Sequence, residues 1–386
     1  KDQKFFDYLK LRASWGRLGN DHVAASDGFA SITTGNSASG VFGNSTFPGY
    51  QNTTYFSYLK WELVDETNVG LNFSTFKNRL NVDLDYFYRL TKRAVISPRL
   101  PFSNDVLAGN YGKILNSGFD LSLNWNDNIG RDFKYNLGVN LSYLKNKVKD
   151  LGGLSSIKGG KTINMVGKEM NSYYGYKVVG VYQTLEECAE DPIAVANNLV
   201  PGDFKYEDVN GDGKLDEKDY VYLGSDDPKI SYSFNVGIEW NNFDLSAVFQ
   251  GAAKRTIFRD ESNDNYRIPM RAAHLNSTTQ SVGNVWSPDN RDGRYPTYTN
   301  ISTINNYNYQ CSSWSVENGN YLRLKSLTLG YNFPASLLSK TKAISRLRIY
   351  VSGADLWEVS KINDGWDPEA SRKVSGNGRF PFNRTC

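Results

Sequence analysis

The chain has 386 residues, a formal net charge of +3 and a mean hydropathy of −0.53. Only 39% is hydrophobic, and no run of about 18 apolar residues occurs, which excludes a helical membrane span. The charge is too even to argue for nucleic acid, and the length suits one large β-barrel or two to three soluble domains.

In chain order, the first periodic segment is 8–16. It sets Leu9, Leu11, Ala13 and Trp15 against Lys10, Arg12 and Ser14. Successive side chains of a strand point to opposite faces, so such alternation predicts a strand with one greasy and one wet face. Segment 17–57 has no helical period and reads as a long loop; its glycines at 33–43 lack the Lys-Ser/Thr of a phosphate-binding loop. Alternation resumes at 67–76 through Val69, Leu71 and Phe73. Lys77-Asn78 then turns the chain into 80–89, where Leu80, Val82, Leu84, Tyr86 and Tyr88 interleave with polar residues.

Segments 119–125 and 133–143 form the next pair, joined by the polar NDNIGRD stretch. Segments 232–240 and 243–249 meet at Asn241-Asn242, and asparagine tolerates the positive φ of a primed two-residue turn. Segments 321–333 and 347–351 supply the last strands, for roughly ten in all. Several run longer than the 5 or 6 residues usual in soluble proteins, and about 10 tilted residues cross a bilayer core. The short turns alternate with long segments at 17–57, 145–172, 184–229 and 251–319. Outer-membrane barrels sort their connections in this way. The expected fold is therefore all-β, a transmembrane antiparallel β-barrel with long extracellular loops. Alternation explains the low hydropathy, and 25 Tyr, 20 Phe and 8 Trp could furnish aromatic girdles.

Few residues carry a chemical motif. Cys188, Cys311 and Cys386 are widely spaced, which argues against a disulfide framework or a zinc site. His22 and His274 stand alone in loop sequence. No nucleophile elbow, HExxH, P-loop or dinucleotide fingerprint occurs. The pairs Glu186-Glu187 and Asp226-Asp227 are loop acids rather than a glycosidase dyad. An enzyme is not expected.

The sharpest motif is DVNGDGKLDEKD at 208–219. Asp208, Asn210, Asp212 and Asp216 occupy positions 1, 3, 5 and 9 of a twelve-residue calcium loop, with Gly213 at the sharp turn. Lys214 would offer its carbonyl at position 7, and Asp219 closes position 12. Asp in place of the usual Glu there, and flanks without helical pattern, suggest a structural Ca²⁺ site of the extracellular dockerin type. The alternative is a solvated acidic turn. Trp286, Tyr307, Tyr309 and Trp314 lie in loop sequence, where they would stack on a substrate or pack the loops together.

With the strands placed, the segments between and within them resemble the SusC/RagA group of TonB-dependent outer-membrane transporters. The resemblance rests on LKLRASWGRLGN (9–20), WELVDETNVGLNFSTFKNRLNVDLDYFYRLTKRAV (61–95), GNYGKILNSGFDLSLNW (109–125), NGNYLRLKSLTLGYNFP (318–334), LRIYVSGADLW (347–357) and GWDPEAS (365–371). It implies that residues 1–386 are the C-terminal part of the barrel, an arc of about ten strands of a probable 22. The plug and TonB box would precede Lys1, which, with no methionine or leader, reads as the start of a fragment or processed product. The closing strand, due after GWDPEAS, would be cut short at RFPFNRTC. The implied role is TonB-dependent import of oligosaccharides or oligopeptides across the bacterial outer membrane. The implied partners are a SusD-like surface lipoprotein and, through the missing region, TonB-ExbB-ExbD. A lectin-like surface β-protein and a passive porin are the rival readings.

Overall fold

The computed structural model describes residues 5–21, 31–53, 59–98, 109–159, 162–258, 281–339, 344–362 and 367–369. The segments called from alternation pair into one antiparallel sheet. Its nine strands are β1 (Tyr8–Asn20), β2 (Glu62–Thr75), β3 (Leu80–Ile96), β4 (Gly109–Ile129), β5 (Phe133–Leu151), β6 (Ile230–Trp240), β7 (Phe243–Ala253), β8 (Tyr321–Asn332) and β9 (Arg348–Ser360). Each strand neighbours the next in sequence, so the sheet is a simple meander. Nine strands, against the ten expected, lie in this sheet among the described residues.

Register decides what the two faces are. One continuous row of partners runs Leu9, Phe73, Val82, Leu123, Val139, Phe234, Phe249, Leu324 and Trp357 across all nine strands. One residue along, the row is Lys10, Asn72, Asp83, Ser122, Asn140, Ser233, Gln250, Arg323 and Glu358. The period of two thus sorts the whole sheet into an apolar and a polar side. Nothing described covers the apolar side: Leu11, Ile349 and Val351 are 75%, 58% and 71% exposed. Soluble monomers rarely expose contiguous apolar patches beyond a few hundred Å². This face suits hydrocarbon instead, where a strand's backbone must find all its partners in neighbouring strands.

At the short-turn end, aromatics gather. Phe76 lies 5.9 Å from Trp125, Phe133 6.0 Å from Tyr135, Phe243 4.9 Å from Tyr331 and Tyr331 5.1 Å from Phe333. Trp125 donates its indole N–H to the Tyr135 hydroxyl at 3.2 Å. Amphipathic rings concentrated at one level are an interfacial girdle. The turns here are short, at 76–79, 130–132 and 241–242, and Asn241 takes the positive φ of +52° that its type tolerates. The β8–β9 connection on this side is longer and contains a helical turn, Ala335–Leu338.

Three boundaries move. NDNIGRD is mostly strand, because β4 continues to Ile129 and only 130–132 turns. Segment 17–57 begins with four residues of β1 and contains a hairpin of Ser31–Phe42 with Ser45–Thr53. Segment 145–172 begins with the end of β5 and contains a second hairpin, Ser156–Gly159 with Thr162–Met165. The reason is shared: a ladder needs only backbone, and beyond the apolar belt both faces are wet. At about 3.3 Å per residue, the 21 residues of β4 span roughly 70 Å, more than a tilted crossing requires. His22, His274, Cys386 and the RFPFNRTC segment lie outside the described residues, as does GWDPEAS except for 367–369.

Val139 faces outward and its neighbour Asn140 inward. Val139→Arg should lower folding stability by about 2–4 kcal/mol, while Asn140→Arg should cost less than about 1 kcal/mol. Urea titration of the full protein folded into lipid vesicles measures both; equal costs would refute the assignment of faces.

Candidate functional site

The polar face carries the candidate path. A concavity of about 870 Å³ sits on it, with Ser122, Asn140, Ser142, Ser231, Ser233 and Gln250 across its floor. Asp83, Asp85 and Asp120 flank one side, and Arg255, Tyr321 and Glu369 the other. Arg12 reaches across from β1 and holds both Asp83 and Asp85 at 2.9 Å. All three groups are well exposed, so these pairs position side chains more than they stabilise the fold.

The far flank is built by a β-bulge. The alternation of β8 slips at Lys325: Leu322 and Leu324 face outward before it, Leu327 and Leu329 after it, and the register with both neighbours shifts there. An extra residue of this kind re-aims side chains. Arg323 and Lys325 both enter a carboxylate cluster on the polar side. Arg323, only 1% exposed, pairs with Glu358 at 2.5 Å, Asp367 at 2.6 Å and Glu369 at 3.1 Å. Lys325 pairs with Glu369 at 3.1 Å and Asp355 at 3.4 Å. Arg255 bonds Asp226 at 2.8 Å and the Pro368 carbonyl. A buried guanidinium is tolerated only when so surrounded. The cluster straps residues 367–369 to the inner wall. The phase slip at Lys325 was the sequence signal for it and was missed.

Above the wall, segments 152–229 and 281–320 pack together. Helices α1 (Leu185–Glu190) and α2 (Pro192–Asn197) are capped by Thr184 and Asp191, and a third, α3 (Ser302–Asn308), comes from the other segment. The core is Tyr176, Tyr182, Cys188, Ile193, Ala194, Leu199, Phe204, Tyr206 and Tyr307. Cys188 is a buried free thiol, and Cys311 donates its thiol to the Tyr174 carbonyl at 3.2 Å. At its centre, Asp203 and Asn308 are fully buried and bonded at 2.7 Å, while Asn308 accepts the Phe204 N–H at 2.9 Å. Burial pushes the Asp203 carboxyl up from its ordinary range, against the pull of the Asn308 and Val200 N–H groups. No sequence signal marks this pair, which is 105 residues apart.

The four loop aromatics belong to the same packing. Trp286, Tyr307 and Tyr309 are buried. Trp286 donates to the Gln183 side chain at 3.1 Å and covers Gly202, whose φ of +99° and lack of Cβ allow the approach. Trp314 meets Phe204, Tyr295 and Tyr309 within 5.4–5.7 Å. Of the two expectations for these rings, the structure displays packing within the loop body, with Trp314 only partly buried.

The acidic loop keeps the wrapped form its spacing predicts. Asp208 accepts the Gly211 and Gly213 N–H groups at 2.7 and 2.8 Å, Asn210 that of Asp212 at 2.8 Å, and Asp212 that of Lys214 at 3.0 Å. Gly213 supplies φ +75°. Asp216 and Asp219 form a reciprocal capping box around Glu217–Asp219. Asp219 is fully buried and reaches back to the Val209 N–H at 3.0 Å, closing the loop on itself. Asp212 lies below its ordinary range: some burial opposes this, and the Lys214 N–H, Asn210 and the Lys218 and Lys214 charges outweigh it. Lys218 stands 3.7 Å from Asp212 and 3.6 Å from Asp216. Among the described residues no three acidic side chains converge on a metal-sized point. The oxygens suit a hard cation and the turn is preformed, so binding would require the carboxylates to swing inward and Lys218 to withdraw.

An antiparallel meander with an uncovered apolar face, an aromatic girdle and a polar inner face defines the class, the wall of an outer-membrane β-barrel. No family profile matches the chain. It is 29% identical over 396 residues to TonB-dependent receptor P3 of Formosa agariphila, covering 99% of this chain and 38% of that protein. To TonB-dependent receptor SusC of Bacteroides thetaiotaomicron it is 23% identical over 401 residues, covering 98% and 37%. The fold superposes on the structure of the RagAB peptide transporter with a TM-score of 0.78 at 23% identity, covering 100% of this chain and 40% of that one. Over nearly its whole length the chain is similar to SusC/RagA-like TonB-dependent receptors, which are proteins of the bacterial outer membrane. It spans about two fifths of the length of the curated relatives it matches. Those relatives are receptors and transporters, not enzymes, as the missing catalytic motifs led us to expect.

Asn308→Ala strips the buried Asp203 of its side-chain partner. The loop body should lose about 1–3 kcal/mol. Limited proteolysis should then cut within 184–229 or 281–320 while the barrel keeps its heat-modifiable migration; unchanged cleavage would show that the pair does not hold the loops together.

Proposed function

We propose that the chain is part of the barrel wall of an energised importer, which takes oligosaccharides or oligopeptides across the outer membrane. The observation that carries this reading is the double row in register: nine outward apolar positions and nine inward polar ones. Such a wall admits lipid on one side and a hydrated solute on the other. The uncovered apolar face weighs against the lectin-like alternative. Whole-length similarity to TonB-dependent receptors favours TonB-ExbB-ExbD as the motor over passive diffusion, and similarity to SusC favours a SusD-like lipoprotein at the loop side. The chain would then be the C-terminal part, with plug and TonB box elsewhere in the protein.

The test uses the full protein in its own cells. It should resist carbonate extraction, and uptake of labelled oligomer should fall to background when TonB is deleted. Uptake that survives the deletion would make it a porin; release by carbonate would make it a peripheral binding protein.

We also propose that 208–219 binds Ca²⁺ through Asp208, Asn210, Asp212, the Lys214 carbonyl, Asp216 and Asp219, in a structural role. The support is the motif's spacing together with its preformed turn. Calorimetry on chelator-stripped protein should give binding heat with Ca²⁺ that Asp212→Ala abolishes. No heat, or the same heat in the variant, would leave an acidic turn.

A further inference from the structure

The proposed path has a definite electrical sign, and we infer that it selects its solute by charge, accepting neutral and cationic oligomers and rejecting anionic ones. This rests on the import reading and specifies the solute class for the same concavity.

The floor of the concavity is neutral. Hydroxyls and amides project from β4, β5, β6 and β7 in two adjacent rows, Ser122–Asn140–Ser233–Gln250 and, one step along, Ser142–Ser231. Asn140 donates to the Ser233 hydroxyl at 3.2 Å, which leaves its remaining groups for a ligand. Such a ladder serves an extended chain of hydroxyl or amide groups of any charge.

The flanks are not neutral. Four of the five ionised lining residues are carboxylates: Asp83, Asp85, Asp120 and Glu369, against Arg255. The cations at its edges are engaged. Arg12 is divided between Asp83 and Asp85. Arg255 is held by Asp226 and the Pro368 carbonyl. Arg323 is enclosed, and Lys325 lies between Glu369 and Asp355. Asp120, exposed next to Asp85 in the register, has no ion pair among the described residues. An anionic chain entering here would shed water from its charges, meet carboxylates and find the described lining cation, Arg255, already held. A cationic chain would find Asp120 open and would share Asp83 and Asp85 with Arg12. A concave surface lined by one sign also concentrates the opposite ion before contact.

The test titrates the purified full-length protein at pH 6 with length-matched oligomers in three charge states. The sugars are the tetramers of glucosamine, N-acetylglucosamine and galacturonate, and the peptides are tetralysine, tetraserine and tetraglutamate. In whichever series binds, the cationic member should bind at least about tenfold tighter than the anionic one, a preference that weakens with salt. Asp120→Asn should narrow that ratio at least threefold while leaving the heat-modifiable migration unchanged. Equal or tighter anionic binding, an unchanged ratio in Asp120→Asn, or no binding in either series would overturn the inference. Failure of the import reading shows elsewhere, in carbonate extraction and TonB-independent uptake, whichever charge is preferred.

Discussion

A backbone in hydrocarbon has no water to turn to, so every N–H and C=O must be met by another strand. That requirement organises this molecule. It imposes strands long enough to cross, a ladder without gaps and a register shared by all neighbours. Register then fixes chemistry, because a slip of one position would exchange the lipid-facing side for the solute-facing side. The rows through Leu9 and Lys10 are the same constraint seen from its two faces.

The remaining features work within that frame. The short turns close strands with few residues near one interface, where the rings of Trp125, Trp240 and Phe243 can sit half in lipid. The long connections are released from the frame, and they solve their own folding problem. They build a separate core around Tyr182, Phe204 and Tyr206, and bury the Asp203–Asn308 pair to join two distant segments. Between wall and loops, the cations at Arg255, Arg323 and Lys325 draw residues 367–369 inward. Electrostatics here attaches chain to wall; it does not hold the wall together.

Much of the wall was legible in the sequence because period two is a direct record of two environments. Leu80 to Tyr88 announces its faces residue by residue, and Asn241-Asn242 announces its turn. Legibility stopped where the environments ceased to differ. Beyond the belt both faces of β4 and β5 are wet, so Asn126, Asp127 and Asn128 read as loop although they are paired. The loop core was less readable still: Trp286 and Tyr307 look like exposed aromatics until the contacts that cover them, from far along the chain, are known. The acidic loop stands between these cases. Its turn geometry follows from local spacing, whereas the inward swing of its carboxylates would depend on an ion that sequence does not contain.

The bulge at Lys325 has a meaning for how such a protein tolerates change. β8 carries one residue more than β7 opposite it, while β9 sets two residues against Lys325, so the two halves of β8 are keyed separately to each neighbour. Deleting that residue would restore unbroken alternation and keep Arg323 on the polar side, but it would take Lys325 away from Glu369 and Asp355. Length can therefore drift freely in the upper loops, yet within a strand the chain is counted, and even its irregularity has a fixed number.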